Sequence, residues 1–383
     1  MKILQVIPFF TPARGGSVIG PYYSSKELSK HGHEVTIITT DFEFDKEYTK
    51  SIKGVNVIPF KCIANLALFL YSPSMKKWLK TNIKDFDIIH MHNFRSYQNV
   101  VTHHYAKKCA IPYILQARGS LPRIMEKQRL KKLYDWVWGN KILRDASKVI
   151  ALTETEAEQY KRMSVNEDKI ELVPNGIDLS EYENLPKRGE FRRKYRIKDD
   201  EKIILSLGRI HKIKGIDLLV RAFADLTKRL DNVKLVIVGP DDGFLSNLKK
   251  QIKDLKIEDR ILITGPLYGE NKLKAFVDTD VYVLPSFYET FSNTVLEALA
   301  CGTPVILTDR CGIADYVKKI GCVVEYDKDK LKHAITKILT DKGLRGKFGK
   351  EGIRVVREKF GLDRIVEQLE NIYKNCLPLK TSS

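Results

Sequence analysis

Residues 285–304, PSFYETFSNTVLEALACGTP, carry two carboxylates, Glu289 and Glu297, spaced Glu-x7-Glu. The apolar run 281–284 ahead of them reads as a strand, and Ser286 lies in the loop that leaves it. Ser292 is a residue type that caps helices, so the spacing predicts a helix over 292–300. Its first N–H groups, around Phe291, Ser292, Asn293 and Thr294, would form an anion site suited to phosphate. A carboxylate facing a cleft needs hydroxyl or N–H partners. Sugars offer hydroxyls, so one glutamate could hold a ribose and the other a hexose. The plainer alternative makes Glu297 the cap of a neighbouring loop and Glu289 a solvated charge.

The segment LGRIHKIKG at 207–215 is a second candidate. Gly208 ends a strand where backbone must come close to something, and the heads of Arg209 and Lys214 can reach one anion. A diphosphate leaving group needs such charge, because it becomes more negative as its bond breaks. Two surface cations in a basic protein are the alternative. Gly15 and Gly16 follow the first strand and permit a ligand to approach the backbone, or form a plain turn. They are not part of a GxGxxG, and no acidic residue ends the second strand in the dinucleotide manner, so a nicotinamide cofactor is not expected. His90 and His92 point to one face of a strand, but no nearby carboxylate or thiol completes a metal set. With Asn93 they read as polar lining, and Arg118 should open onto the same side. Asp278 and Asp280 sit before a strand, at the end away from the ligand loops, so no Mg²⁺ site is expected there.

These residues need a frame, and the hydrophobic pattern supplies it. Strands are expected over 2–7, 34–40, 55–60, 87–91, 112–117, 148–152 and 169–173, and helices over 20–31, 75–83, 96–109, 123–144 and 154–162. The alternation restarts with strands at 202–207, 233–238, 260–264, 281–285, 304–308 and 322–325, and with helices at 217–230, 246–255, 270–277, 292–300 and 330–340. Several strands are apolar throughout, as parallel strands covered on both faces are. Residues 174–200 break the pattern and read as a linker with one short helix over 189–195. The fold class is therefore α/β, with two Rossmann-like doubly wound parallel sheets and ligands expected outside the carboxyl ends of the strands. The expected division is 1–175, 176–360 and a closing segment 361–383.

The chain has 383 residues, enough for large cores without disulfides or metal staples. Its formal net charge of +18 favours anionic partners. No RNA-binding motif appears, which argues against nucleic acid. Six cysteines form no C-x-x-C and read as free thiols in a reducing, cytoplasmic setting. The first apolar stretch is too short for a leader, and the run 63–71 is too short to span a bilayer. Arg123, Lys127, Arg129, Lys131 and Lys132 interleave with Leu130, Leu133, Trp136 and Trp138. Basic helices with Trp suit peripheral contact with an anionic membrane, the inner face of the cell membrane in a cytoplasmic protein. A core-facing helix with a solvated basic face is the alternative.

Taken together, these stretches resemble the family-4 retaining glycosyltransferases of the GT-B fold, the glycosyl transferases of group 1. The resemblance spans nearly the whole chain. It rests on Gly15-Gly16, VPNGID at 173–178, Gly208-Arg209 with Lys214-Gly215, VGP at 238–240, the Glu289/Glu297 pair, and GTP at 302–304. It implies transfer of a hexose from a nucleotide-diphosphate sugar to a sugar, glycan or lipid-linked acceptor, as in polysaccharide or glycolipid assembly, with no cofactor or metal. Arg209 and Lys214 would hold the diphosphate and Glu289 the transferring sugar. Glu297 would bind the ribose, and the base would lie by the loop with Leu267 and Tyr268. Gly15, Gly16, Gly208, Gly239 and Ser286 would complete the donor side, with His92, Asn93 and Arg118 on the acceptor side. Many members carry His at Arg118 and Gly at Ser292. An epimerase or phosphorylase on the same donor site, and a non-catalytic binder, are the rivals.

Overall fold

The computed structural model describes residues 1–66, 69–124 and 127–378. Parallel sheets organise it. The first is β3-β2-β1-β6-β7-β8-β9, from β1 (Lys2–Val6), β2 (Glu34–Thr40), β3 (Val55–Phe60), β6 (Ile88–His92), β7 (Tyr113–Gln116), β8 (Lys148–Ala151) and β9 (Ile170–Leu172). A small antiparallel hairpin, β4 (Ala64–Leu66) with β5 (Phe69–Tyr71), stands apart from it. The second sheet is β12-β11-β10-β13-β14-β15, from β10 (Lys202–Leu207), β11 (Val233–Val238), β12 (Ile261–Gly265), β13 (Val281–Leu284), β14 (Val305–Thr308) and β15 (Cys322–Val324). Central strands such as Lys202–Leu207 are buried on both faces, which is why they read as unbroken apolar runs.

Two compact units result: Met1–Gly176 with the segment from Leu362 on, and Ile177–Gly361. Gly176 stays with the first unit because it packs on Leu362 and Ile365. The helix Leu362–Cys376 buries Ile365, Val366, Leu369 and Tyr373 against Ile3, Leu28, Val35 and Ile88 of the first sheet's core. Residues 379–383 of the closing segment lie outside the described residues.

Several elements differ from the periodicity reading. The apolar run after residue 62 contains the hairpin β4–β5. The helix expected over 123–144 starts only at Gln128, because Lys127 takes a left-handed φ of 58°. It then passes through a π-helical stretch, Asp135–Gly139, before resuming over Asn140–Asp145. Residues 125 and 126 lie outside the described residues. The helix Lys342–Lys359 was hidden by its four glycines, which lower intrinsic helix propensity. Two of them, Gly349 and Gly352, press onto Gly302 and Leu299, so packing requires what propensity discourages.

In each sheet the winding reverses at one place, between β1 and β6 and between β10 and β13. The loops leaving such a pair diverge and open a crevice, the usual ligand position of doubly wound folds. The loops after β10 and β13 carry residues 208–215 and 285–292. The loops after β1 and β6 carry Gly15-Gly16 and Asn93.

All three tryptophans, Trp78, Trp136 and Trp138, lie in the first unit, so their fluorescence reports its unfolding. Leu369→Ala should lower that unit's stability by about 2–5 kcal/mol, the cost of a large-to-small core change. Urea titration followed by Trp fluorescence measures it, and an unshifted midpoint would place the helix outside this core.

Candidate active site

In the second unit the loop after β13 is bound on both sides. The Phe287 N–H donates to the Ile213 carbonyl at 2.8 Å, and the Gly312 N–H donates to the Glu289 carbonyl at 2.7 Å. The Thr308 hydroxyl donates to the Ser286 carbonyl at 2.6 Å. Gly215 permits a close approach. It has a φ of 64°, and a Cβ there would lie 1.9 Å from the Pro285 carbonyl oxygen. A Cβ on Gly239 would lie 1.8 Å from the Gly208 carbonyl, whereas Gly208 itself faces open space. The backbone thus clamps the loops after β10, β11, β13 and β14 together and leaves Gly208 facing open space.

On this frame Lys214 Nζ donates to Glu289 Oε2, and both side chains are mostly buried. Arg209 pairs with Asp242 at 2.5 Å, in a more exposed setting. Glu297 is buried and pairs through Oε1 with Lys272 at 2.9 Å, while its Oε2 is buried without a partner among the described residues. Burial opposes the Lys272 charge, but Glu297 and then Glu181 outweigh it and hold the ammonium above its ordinary range. An orphaned carboxylate oxygen is costly unless a donor from a ligand satisfies it. The Tyr282 hydroxyl lies 2.6 Å from Thr294 Oγ1, which lies 2.9 Å from Ser292 Oγ. Burial first, then Thr294, Glu289 and Glu297, act on Tyr282, with a net upward shift that keeps it protonated.

Ser292 occupies the cap position of Asn293–Ala300 but makes no side-chain cap hydrogen bond. Its hydroxyl is engaged with Thr294 instead, so no serine oxygen competes with an anion for the first-turn N–H groups. Tyr268 is exposed and precedes the helix Gly269–Asp278, with Leu267 beside it at the end of β12. Asp278 accepts from the Gly189 and Arg192 N–H groups, at 2.5 and 3.0 Å. Asp280 accepts from the Ile203 N–H at 2.9 Å and pairs with Arg192. Both carboxylates are buried and serve the second unit's own frame.

Lys272 and Asp242 were not among the sequence candidates. Asp242 follows the VGP of 238–240, and the pairing of β10 with β11 brings it to Arg209. Its nearness to that motif was the available clue. Lys272 sits on a helix 25 positions before Glu297, and no local pattern links them.

In the first unit, Gly15 (φ 62°) and Gly16 open the helix Gly16–Lys30 with no side-chain cap, and Gly15 faces open space. His92 and Arg118 are drawn inward. Arg118 donates to His92 Nδ1 at 3.1 Å, to Asn175 at 2.7 Å and to Gln116 at 2.7 Å. With Nδ1 accepting, His92 carries its proton on Nε2 and donates to Gln5 Oε1 at 2.5 Å. His90 meets the Tyr373 hydroxyl at 2.7 Å. Asn93 (φ 62°), Arg95 (φ 64°) and Arg118 (φ 52°) all hold left-handed backbone after β6 and β7, strain that gathers at functional edges. Asn93 Nδ2 is buried without a partner among the described residues.

Two family models match the chain: Glycosyltransferase Family 4 over residues 14–181, and Glycosyl transferases group 1 over residues 187–355. An uncharacterized glycosyltransferase of Methanocaldococcus jannaschii is 30% identical, over 99% of this chain and 99% of that one. The alpha-monoglucosyldiacylglycerol synthase of Streptococcus pneumoniae is 30% identical, over 73% of this chain and 65% of that one. Among solved structures, Anabaena HepE in complex with UDP and glucose matches with a TM-score of 0.84. It covers 98% of this chain and 100% of that one at 18% identity, a likeness of fold.

The buried histidines make stability depend on pH. Burial, with the Arg118 charge adding to it, pushes His90 down to about 3. Burial, then His90 and Arg118, hold His92 well below the ordinary range. Unfolded, both rings titrate near about 6.5. Below that pH the unfolded chain binds more protons, so stability is full above about 6.5 and is lost as pH falls toward 3. Each ring contributes a slope of about 1.4 kcal/mol per pH unit in that window. Urea unfolding at a series of pH values from neutral to mildly acidic should show a shallower slope for His90→Phe than for wild type. Equal slopes would mean that His90 titrates normally.

Proposed function

The chain belongs to the family-4 glycosyltransferases of the GT-B fold. On that footing we propose that it transfers a hexose from a nucleotide-diphosphate sugar to an acceptor hydroxyl, retaining the anomeric configuration and requiring no metal ion. The observation that carries this reading is the pair of differently held glutamates. Glu289 is paired with Lys214 between the loops of β10 and β13, and Glu297 has one oxygen on Lys272 and the other unsatisfied. The proteins matched by sequence or fold support it: HepE is described in complex with UDP and glucose, and with UDP-glucose.

In this reading the donor diphosphate takes Arg209 and Lys214 from their carboxylate partners, because it carries more charge than either. The two cations then stabilise the leaving group as the anomeric C–O bond breaks. Glu289, released from Lys214, accepts hydroxyls of the transferring sugar. The unsatisfied Oε2 of Glu297 accepts from the ribose hydroxyls while Lys272 fixes the other oxygen. The first-turn N–H groups of Asn293–Ala300 face phosphate or sugar oxygens. The acceptor oxygen attacks the anomeric carbon on the face that the diphosphate leaves, and its proton passes to a phosphate oxygen. The protein contributes position and charge. On the acceptor side the unsatisfied Nδ2 of Asn93 is the contact group, with His92 and Arg118 holding its loop from below. The product belongs to glycan, polysaccharide or glycolipid assembly.

Release of nucleoside diphosphate from a panel of nucleotide sugars, with EDTA present and no acceptor, tests this. One donor should be hydrolysed slowly, and Glu289→Gln should lower that rate by about 10²–10³-fold, as loss of one transition-state contact does. Loss of release on adding EDTA would overturn metal independence, and equal rates for Glu289→Gln would remove Glu289 from the site. Lys272→Met should raise the donor KM with kcat nearly unchanged, since it acts through Glu297 on ground-state binding. An equal fall in kcat and kcat/KM would instead place Lys272 in the transition state.

A further inference from the structure

Among the described residues, ten large apolar side chains are well exposed, and seven of them belong to two stretches of the first unit. Ile63, Leu66 and Tyr71 lie on or beside the hairpin β4–β5, and Leu130, Leu133, Trp136 and Trp138 lie on the helical segment that starts at Gln128. The two stretches meet. Phe69 of the hairpin stacks on Trp138, with centroids 6.2 Å apart, and sits edge-on to Tyr134 at 6.4 Å. Leu66 and Trp136 are each 76% exposed, more than any other large apolar side chain so described. A soluble surface rarely leaves such a patch without a use.

Charge around the patch is one-sided. Residues 61–84 contain five lysines and no carboxylate, and residues 127–144 contain six basic residues and one carboxylate, Asp135. These 42 residues therefore carry 11 − 1 = +10 of the chain's +18. Asp135 is buried, and its two oxygens are taken by Arg95 at 2.8 Å and by Arg123 and Arg95 at 2.8 Å. The same pairing fixes the π-helical stretch to the loop after β6, so the patch is preformed. The hairpin runs through Ser72 into the helix Pro73–Asn82, whose Lys76, Lys77 and Lys80 are exposed.

We propose that this patch docks the first unit on an anionic lipid bilayer, with Leu66, Leu133 and Trp136 inserted among the headgroups and the surrounding lysines and arginines on lipid phosphates. Trp and Leu beside basic residues match that boundary, where apolar depth and negative surface charge act together. A protein partner complementary to the same face would have to offer a large apolar area ringed by acid. A bilayer offers both without specific shape. The inference stands on surface residues alone and not on the donor site proposed above. It would bring an acceptor embedded in the bilayer to the unit that carries Asn93.

Sedimentation of the full chain with phosphatidylcholine vesicles, and with vesicles that also contain phosphatidylglycerol, tests it without any donor. Wild type should pellet with the anionic vesicles, stay in solution with the neutral ones, and be released by high salt, which screens the headgroup charge. The Trp emission should shift to the blue on binding. Leu133→Ser with Trp136→Ser should weaken binding at least about tenfold through lost apolar insertion. Arg129→Glu with Lys132→Glu should do the same through charge. Both double variants should keep the wild-type rate of nucleoside-diphosphate release, which shows that they are folded and separates this proposal from the donor reading. No binding by wild type, unaltered binding by both variants, or self-association of wild type that the Ser variant abolishes without vesicle binding would each overturn it.

Discussion

Lys214 and Glu289 are 75 residues apart and meet because a parallel sheet sends every strand's carboxyl end to one edge. At the reversal between β10 and β13, the two loops that carry them leave neighbouring strands in diverging directions. What brings them back together is backbone: the Phe287 N–H on Ile213, the Gly312 N–H on Glu289, and the tight seat of Gly215 under Pro285. The charges therefore rest on a frame that is already paid for by main-chain hydrogen bonds. A pair of long side chains on mobile loops would lose much of its electrostatic worth to disorder.

The same topological rule operates in the first unit with opposite chemistry. There most of the groups lining the reversal between β1 and β6 bond to one another, with Asn93 Nδ2 left without a partner among the described residues. His92 stands between Gln5 and Arg118, and His90 takes Tyr373 from the helix Leu362–Cys376. Burial keeps both imidazoles neutral, so this network is neither acid nor base near neutral pH. The second unit thus presents paired cations and carboxylates at this edge, and the first a hydrogen-bonded network of neutral imidazoles around one buried guanidinium, Arg118.

Net charge by itself would have said little about partners. The excess is concentrated where apolar side chains are also exposed, and the one carboxylate in that helical stretch is turned inward onto Arg95 and Arg123. Solvated basic faces are ordinary. Basic faces that surround unburied tryptophan are not, because burial of that ring would be favourable if the fold offered any place for it.

Much of this was legible in the sequence. The strand–helix alternation and the break after residue 174 follow from local spacing, as do the positions of Arg209, Lys214 and Glu289 on loops that leave strand ends and of Glu297 in the helix that follows. The glycine-rich helix Lys342–Lys359 was not legible, because its glycines answer to Gly302 and Leu299 and not to helix propensity. Lys272 and Asp242 were not legible either, because each finds its glutamate or arginine across sheet and helix neighbours that no local period encodes. Arg118 could be placed after its strand, but the direction of its side chain depended on His92, Gln116 and Asn175 arriving around it. By itself the sequence determined which residues stand at the strand ends, because hydrophobic period and turn chemistry are local. Only the tertiary structure decided which charges pair, which are buried and which face outward, because those depend on what distant segments bring within a few ångströms.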